Sequence, residues 1–273
     1  MTVINTNVSA LYSQNAMKTN ARAMSTAMEQ LSTGTRVNSA KDDAAGLAIG
    51  QNMTSQIRGL NMALRNLNDG INMMQTAEGA MIEQSNMLQR MRELAVQSMN
   101  GTYSSVQRSY LDLEFQQLNS QINDISTDTT WNDQVLLDDS VGTFTFQAGQ
   151  ASGQTISIVI GDMGNGSTGL AISGEAIDTY ANSASALTAI TSALETINQQ
   201  RATIGAGINR MEYAVDNLSN ISSNATQSRS TIMDTDYATA TTALAKTQII
   251  QQAATAMLAQ ANQQSQGVLQ LLK

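Results

Sequence analysis

Gly164-Asn165-Gly166-Ser167-Thr168-Gly169 carries the letter pattern of a dinucleotide-binding turn, in which glycines let backbone N–H groups close on a pyrophosphate. That chemistry needs a helix opening directly after the turn; here the segment lies in a Gly-rich stretch with no long helix after it, and it reads as a loop. Asp42-Asp43, Asp138-Asp139 and Asp162 offer oxygen ligands of the kind calcium takes. None has the alternating acidic spacing of a calcium loop, so they read as caps and solvated turns. Histidine and cysteine are both absent. Their absence removes disulfides, thiolate and imidazole metal ligands, Ser/His/Asp and Cys/His nucleophiles, and the His-Glu-x-x-His helix of zinc proteases. No catalytic residue, metal site or cofactor is expected, and the chain does not read as an enzyme.

The exclusions extend to large partners. With 22 acidic against 14 basic residues and a formal net charge of −8, the chain has the wrong sign for a phosphate backbone, so no nucleic acid is expected. No apolar run approaches a membrane span. The start, Met1-Thr2-Val3-Ile4-Asn5-Thr6-Asn7, lacks the basic and apolar regions of a cleaved secretory signal. A function carried by surfaces is what remains.

Those surfaces must sit on helices. Proline is absent and aromatics are only 4% of residues, while Met, Ala, Leu and Ile supply the apolar surface, which suits narrow helix seams without breaks. From Ile57, apolar residues fall at Leu60, Leu64, Leu67, Ile71 and Met74, then Met81, Leu88 and Ala95, a heptad pattern. Glu78, Ser85 and Arg92 fill its other seats, so the second half is expected to be looser or to face a further partner. Asn68-Asp69-Gly70 has turn composition, but the heptad phase passes through it and predicts one continuous helix, stopping near Asn100-Gly101. A second seam runs through Leu111, Phe115, Leu118, Ile122 and Ile125. A third takes Leu187, Ile190, Leu194, Ile197, Ile204, Ile208, Met211, Val215 and Leu218, interrupted by Arg201. Between them the period changes to two at Phe144 and Phe146 and again at Ile156, Ile158 and Ile160, across a Gly149–Gly153 turn, which predicts a β-hairpin. The expected fold class is mainly α, with long helices in a rod-shaped coiled-coil bundle, a small β-hairpin region, and the two terminal helices paired as a coiled coil.

The ends are almost uncharged. Residues 1–28 hold only Lys18 and Arg22, residues 237–273 only Lys246 and Lys273, and both stretches keep seam spacing. In the first, Met17, Ala21, Met24, Met28 and Leu31 form the seam. In the second, Ala254, Leu258, Ala261, Ser265, Val268 and Leu272 do. Such helices are marginal alone and gain stability from packing, here expected from each other and from further copies of the chain. The predicted core-packing set is Ile4, Val8, Leu11, Met24, Met28 and Leu31 with Ala254, Leu258, Ala261, Val268 and Leu272.

The segment Leu31-Ser32-Thr33-Gly34-Thr35-Arg36-Val37-Asn38-Ser39-Ala40-Lys41-Asp42-Asp43-Ala44-Ala45-Gly46-Leu47-Ala48-Ile49 resembles the N-terminal signature of bacterial flagellins. Its own chemistry reads as a turn at Gly34, with Arg36 in the signature, and a capping box in which Ser39 and Asp42, beside Asp43, start the next helix. Gln89–Ser98, Arg229–Ala238 and the tail from Leu258 to Lys273 are also similar to that family. The resemblance implies a filament subunit that polymerises into a helical tube for motility, with the paired termini lining its core. It also implies export through the flagellum's own channel with a chaperone, and contact with filament cap and hook-junction proteins. Arg90, Leu94 and Glu114 match positions that form an innate immune receptor contact in some flagellins; packing between subunits is the expected principal role. Trp131-Asn132-Asp133 stands where flagellins commonly show Phe-Asn-Gly, Ser265 replaces a frequent proline, and large outer variable domains are missing. The expected domains are a terminal core of residues 1–38 and 235–273, a helical rod of 39–137 and 180–234, and a hairpin and loop insert over 138–179. Alternatives of other kinds are a hook-filament junction protein of the same family and a surface adhesin or glycan-binding protein.

Overall fold

A computed structural model of the chain describes residues 6–138 and 142–270, with side-chain surroundings through Gln263. Ile4, Asp139 and Leu272 lie outside the described residues, as does the side chain of Val268. The element order is α1 (Val8–Thr33), α2 (Ala44–Ser98), α3 (Ser105–Asp128), β1 (Thr130–Trp131), β2 (Gln134–Val135), β3 (Thr143–Gln147), β4 (Thr155–Val159), α4 (Tyr180–Met233) and α5 (Tyr237–Gln270). The chain forms two compact units, one made of the residues up to Ile57 and from Ser223 onward, the other of Arg58–Ser222.

In the second unit α2 runs antiparallel to both α3 and α4. Gln84 Nε2 donates to the Ile122 carbonyl at 3.2 Å and Arg90 pairs with Glu114 along α3, while Ser183 Oγ meets Ser98 Oγ and Arg201 reaches Glu78 along α4. α2 is continuous through Asn68-Asp69-Gly70 as its heptad phase required. Its second half is not looser. Ala77, Met81, Gln84, Leu88, Met91, Ala95 and Ser98 are all fully buried, while Glu78 and Ser85 are half-buried and Arg92 is exposed. α2 carries a helix on each side, so its buried stripe is wider than one seam, and the neighbours one position before the polar residues take the inner seats.

α3 starts on a capping box, with Ser104 Oγ accepting from the Gln107 N–H and the Gln107 side chain accepting from the Ser104 N–H. It ends in a two-residue hairpin, with Trp131 paired to Gln134. Asn132 and Asp133 at that turn have φ of 48° and 63°, the left-handed pair of a type I′ turn. The longer hairpin pairs Phe144 with Ile158 and Phe146 with Ile156, putting Phe144, Ile156 and Ile158 into the core. It seats on two helical glycines. A Cβ at Gly70 would lie 2.8 Å from the Phe146 ring, and one at Gly207 2.5 Å from Ile158. Gly70 is a socket and not a turn. The following loop is also packed, with Met163, Leu170, Ile172 and Ile177 buried and its carbonyls held by Gln84, Asn119, Gln116 and Ser98.

Candidate functional site: the paired terminal helices

α1 begins on Asn7, whose Oδ1 accepts from the Ala10 N–H, and ends on Gly34 at φ 72°, whose N–H donates to the Gln30 carbonyl. Glycine adopts that left-handed conformation without strain and so can end the helix there. α5 begins on Asp236, where Oδ1 accepts from the Ala238 N–H at 2.9 Å and Oδ2 from the Thr239 hydroxyl at 2.8 Å. Those bonds hold the Asp236 carboxyl below its ordinary value of 3.8, the Thr239 hydroxyl being the larger cause.

The two helices lie antiparallel: Asn7 Nδ2 donates to the Ala261 carbonyl at 3.0 Å, and Asn20 Nδ2 to the Thr247 carbonyl at 2.8 Å. On α1 the inner seats are Ala10, Ser13, Met17, Asn20, Met24, Ala27 and Leu31. On α5 they are Ala240, Leu244, Thr247, Gln251, Ala254, Leu258 and Ala261. Both sets step by three and four. Met24, Leu31, Ala254, Leu258 and Ala261 therefore face the partner helix. Asn20 and Ala27 take the seats that apolarity alone assigned to Ala21 and Met28, because the Met17, Met24, Leu31 phase points its intermediate seats at 20 and 27.

Val8, Leu11 and Met28 lie on the outside. They are 61%, 51% and 56% exposed, with Tyr12 at 80% beside them and Ile249, Ile250 and Met257 exposed on α5. Tyr12, Ala16 and Ala23 face Ala243, Lys246 and Ile250 across an open groove of about 710 Å³ along the pair. None of this surface carries an acid, since α1 to Met28 and α5 throughout contain none.

At the far end of the pair the signature turn clasps the α4–α5 junction. The Thr235 N–H donates to the Gly34 carbonyl at 3.0 Å, and the Arg36 N–H to the Met233 carbonyl at 2.6 Å. Arg36 Nη2 adds a bond to the Ile232 carbonyl at 2.7 Å, a cation on the last turn of α4. Ser39 and Asp42 do not form the helix cap. Asp42 Oδ2 accepts from both the N–H and the hydroxyl of Ser39, closing a turn before the helix and lowering the Asp42 pKa, chiefly through that hydroxyl. Asp43 is the cap, one residue before Ala44, with Oδ1 accepting from the Gly46 N–H at 2.8 Å.

Arg90 donates from Nε to Glu114 and from Nη1 to Glu93, both at 2.9 Å, and these exposed carboxylates raise its pKa, Glu114 the more. Leu94 does not join them. At 1% exposed its side chain is part of the core, whereas Arg90 and Glu114 are at the surface. The Gly164–Gly169 segment turns back on itself, the Leu170 N–H donating to the Gly164 carbonyl at 2.8 Å and Thr168 Oγ1 to Asp162. Among the described residues there is no group of three or more acidic residues placed to hold a metal ion.

Residues 4–142 match the family described as the bacterial flagellin N-terminal helical region, and residues 187–272 the bacterial flagellin C-terminal helical region. The chain is a bacterial flagellin. A flagellin of Halalkalibacterium halodurans is 45% identical over 271 residues, covering 99% of this chain and 100% of the relative. Flagellin B of Vibrio cholerae is 34% identical over 371 aligned positions that take in 98% of this chain and 99% of the relative. The alignment is thus much longer than the 273 residues here, which makes this flagellin a short form. A crystal structure of Bacillus cereus flagellin is similar at a TM-score of 0.51 and 30% identity, over 56% of this chain and 88% of that one. The flagellin is a structural subunit of the extracellular flagellar filament and not an enzyme, and it homopolymerises. No helix among its described residues is long and apolar enough to cross a membrane.

Proposed function

We propose that this flagellin polymerises through the outward faces of α1 and α5. The observation that carries the reading is that Val8, Leu11, Tyr12 and Met28, with Ile249, Ile250 and Met257, stay exposed after the two helices have paired. A helix pair with almost no charge gains its stability from packing, and exposed apolar residues along both of its helices offer an interaction surface. Repeated copies supply the missing contacts, and a head-to-tail interface that does not close propagates as a fibre. In this reading Met24, Leu31, Ala254, Leu258 and Ala261 close the pair, and Val8, Leu11 and Met28 pack between copies. Gly34, Arg36, Ser39, Asp42 and Asp43 fix the turn between α1 and α2, which in this reading keeps the start of α5 beside the end of α1.

The proposed domains are the terminal core, residues 1–38 and 235–273, the helical domain, 39–137 and 180–234, and its insert, 138–179. We assign the Arg90, Glu93 and Glu114 cluster to contacts between subunits, with recognition of the free subunit by an innate immune receptor as a second use. Export through the flagellum's own channel without a cleaved signal, a chaperone for the unpolymerised chain, and cap and hook-junction proteins at the filament ends complete the proposed partners. Deletion of residues 237–273 tests the reading: purified truncated subunit added to filament seeds should give no elongation by light scattering or electron microscopy. Elongation at the full-length rate would place the polymer contacts elsewhere.

A further inference from the structure

Heptads of small residues slide easily. In most paired helices charges flanking the seam oppose such slippage, but α5 has Lys246 and no acid, and α1 up to Met28 has Lys18 and Arg22 and no acid, so opposite-charge pairing across them is not available. The polar seam residues divide into two kinds. Ser13 Oγ donates to Ser9 and Thr247 Oγ1 to Leu244, each within its own helix, and those bonds survive any shift. Asn20 differs: only 8% exposed, it donates across the pair to the Thr247 carbonyl at 2.8 Å and to Gln251 Oε1 at 3.2 Å. A slip of α5 by one heptad in either direction sets Asn20 beside Leu244 or Leu258 and removes its side-chain acceptor.

We propose that the Asn20–Gln251 pair is the register-specifying contact of the terminal helix pair. A buried amide left without its partner is disfavoured, whereas the Ala, Met and Leu seats around it are nearly interchangeable under a shift of seven. The inference concerns pairing within one chain and stands apart from the reading that the outer faces polymerise.

The absence of cysteine permits a direct test. Two double variants report the two registers: Met24→Cys with Leu244→Cys for the observed one, and Met17→Cys with Leu244→Cys for a slip of one heptad. Full-length subunits of each, polymerised on seeds of unmodified flagellin, are oxidised with glutathione disulfide, and the intrachain cross-link is read by its faster migration on a denaturing gel. The observed register should cross-link about tenfold or more faster than the slipped one, the discrimination expected from one unsatisfied buried amide. Adding Asn20→Leu and Gln251→Leu should bring the two rates within about threefold, as when a polar seam residue is replaced by an apolar one. Exchanging the amides, Asn20→Gln with Gln251→Asn, should restore the preference. An unchanged preference in the leucine background overturns the proposal, and so does its loss in the amide exchange. The sedimented fraction, measured on the same samples, reports polymerisation separately. Should the leucine variants fail to elongate seeds on their own, they are copolymerised with an excess of unmodified flagellin and the cross-link ratio is read on the sedimented fraction, with the same outcomes deciding.

Discussion

Asp236 uses both carboxylate oxygens to start α5, and the sign of its pH dependence follows from that. Its pKa is lowered by the Thr239 hydroxyl and the Ala238 N–H, so the charged form is the one the folded helix holds. A carboxyl depressed in the folded state contributes its stabilisation above its unfolded value and loses it as pH falls through the folded one. Asp42, lowered by Ser39, acts in the same direction. Filaments titrated from neutral pH should therefore begin to dissociate below about pH 4, where carboxylates without such bonds also protonate. Asp236→Asn should weaken assembly at neutral pH and flatten the acid limb, a critical concentration against pH being the measurement. A second residue-scale expectation concerns Asp133, a non-glycine at φ 63° in the second central position of a type I′ turn. Glycine takes that conformation without Cβ strain, so Asp133→Gly should raise stability by about 0.5–1 kcal/mol, seen as a higher urea midpoint with an unchanged slope.

Helical glycines separate into sockets and bare positions, and the same substitution should give opposite signs at the two kinds. At Gly70 a Cβ would sit 2.8 and 2.9 Å from two carbons of the Phe146 ring, whereas at Gly79, nine residues on in α2, nothing lies within 4 Å. Gly70→Ala should destabilise the subunit by about 1–3 kcal/mol through overpacking, despite the better helix former. Gly79→Ala should stabilise it by up to about 1 kcal/mol from helix propensity alone. Denaturant unfolding of the monomer decides both. The sequence displayed the helix through Gly70 because heptad phase is a property of many residues at once. It did not display the socket, since Phe146 is 76 positions away and no local pattern links the two. The same limit explains the other differences. Phase fixes a stripe, but whether 77 or 78, or 20 or 21, takes the inner seat depends on where the partner helix lies. Leu170, Ile172 and Ile177 are buried without any period to announce them. Asp43, the true cap, neighbours a residue that satisfies the capping-box spacing equally well.

Across the whole chain all 22 acidic residues lie between Glu29 and Asp236, leaving both ends with only basic charges. That segregation is legible in the sequence alone, because it is compositional. Its consequence is that the terminal helices associate by apolar contact, with few carboxylates or ion pairs to desolvate. Ile249 tests this, being 66% exposed on α5 and outside the Asn20–Gln251 seam. Full burial of an isoleucine side chain stabilises by about 1.5–3 kcal/mol, and each 1.4 kcal/mol is a tenfold change in an equilibrium constant. If neighbouring copies enclose this face, Ile249→Gln should raise the critical concentration for elongation by about ten- to a hundredfold, since every added subunit forfeits that contact. Glutamine is a good helix former, so α5 keeps its propensity, and denaturant unfolding of the Arg58–Ser222 unit should be unchanged. A variant that elongates seeds at the unmodified critical concentration would mean that the outward face of α5 stays in water inside the filament, and the contacts that hold copies together would then have to be sought on α1 or on the second unit.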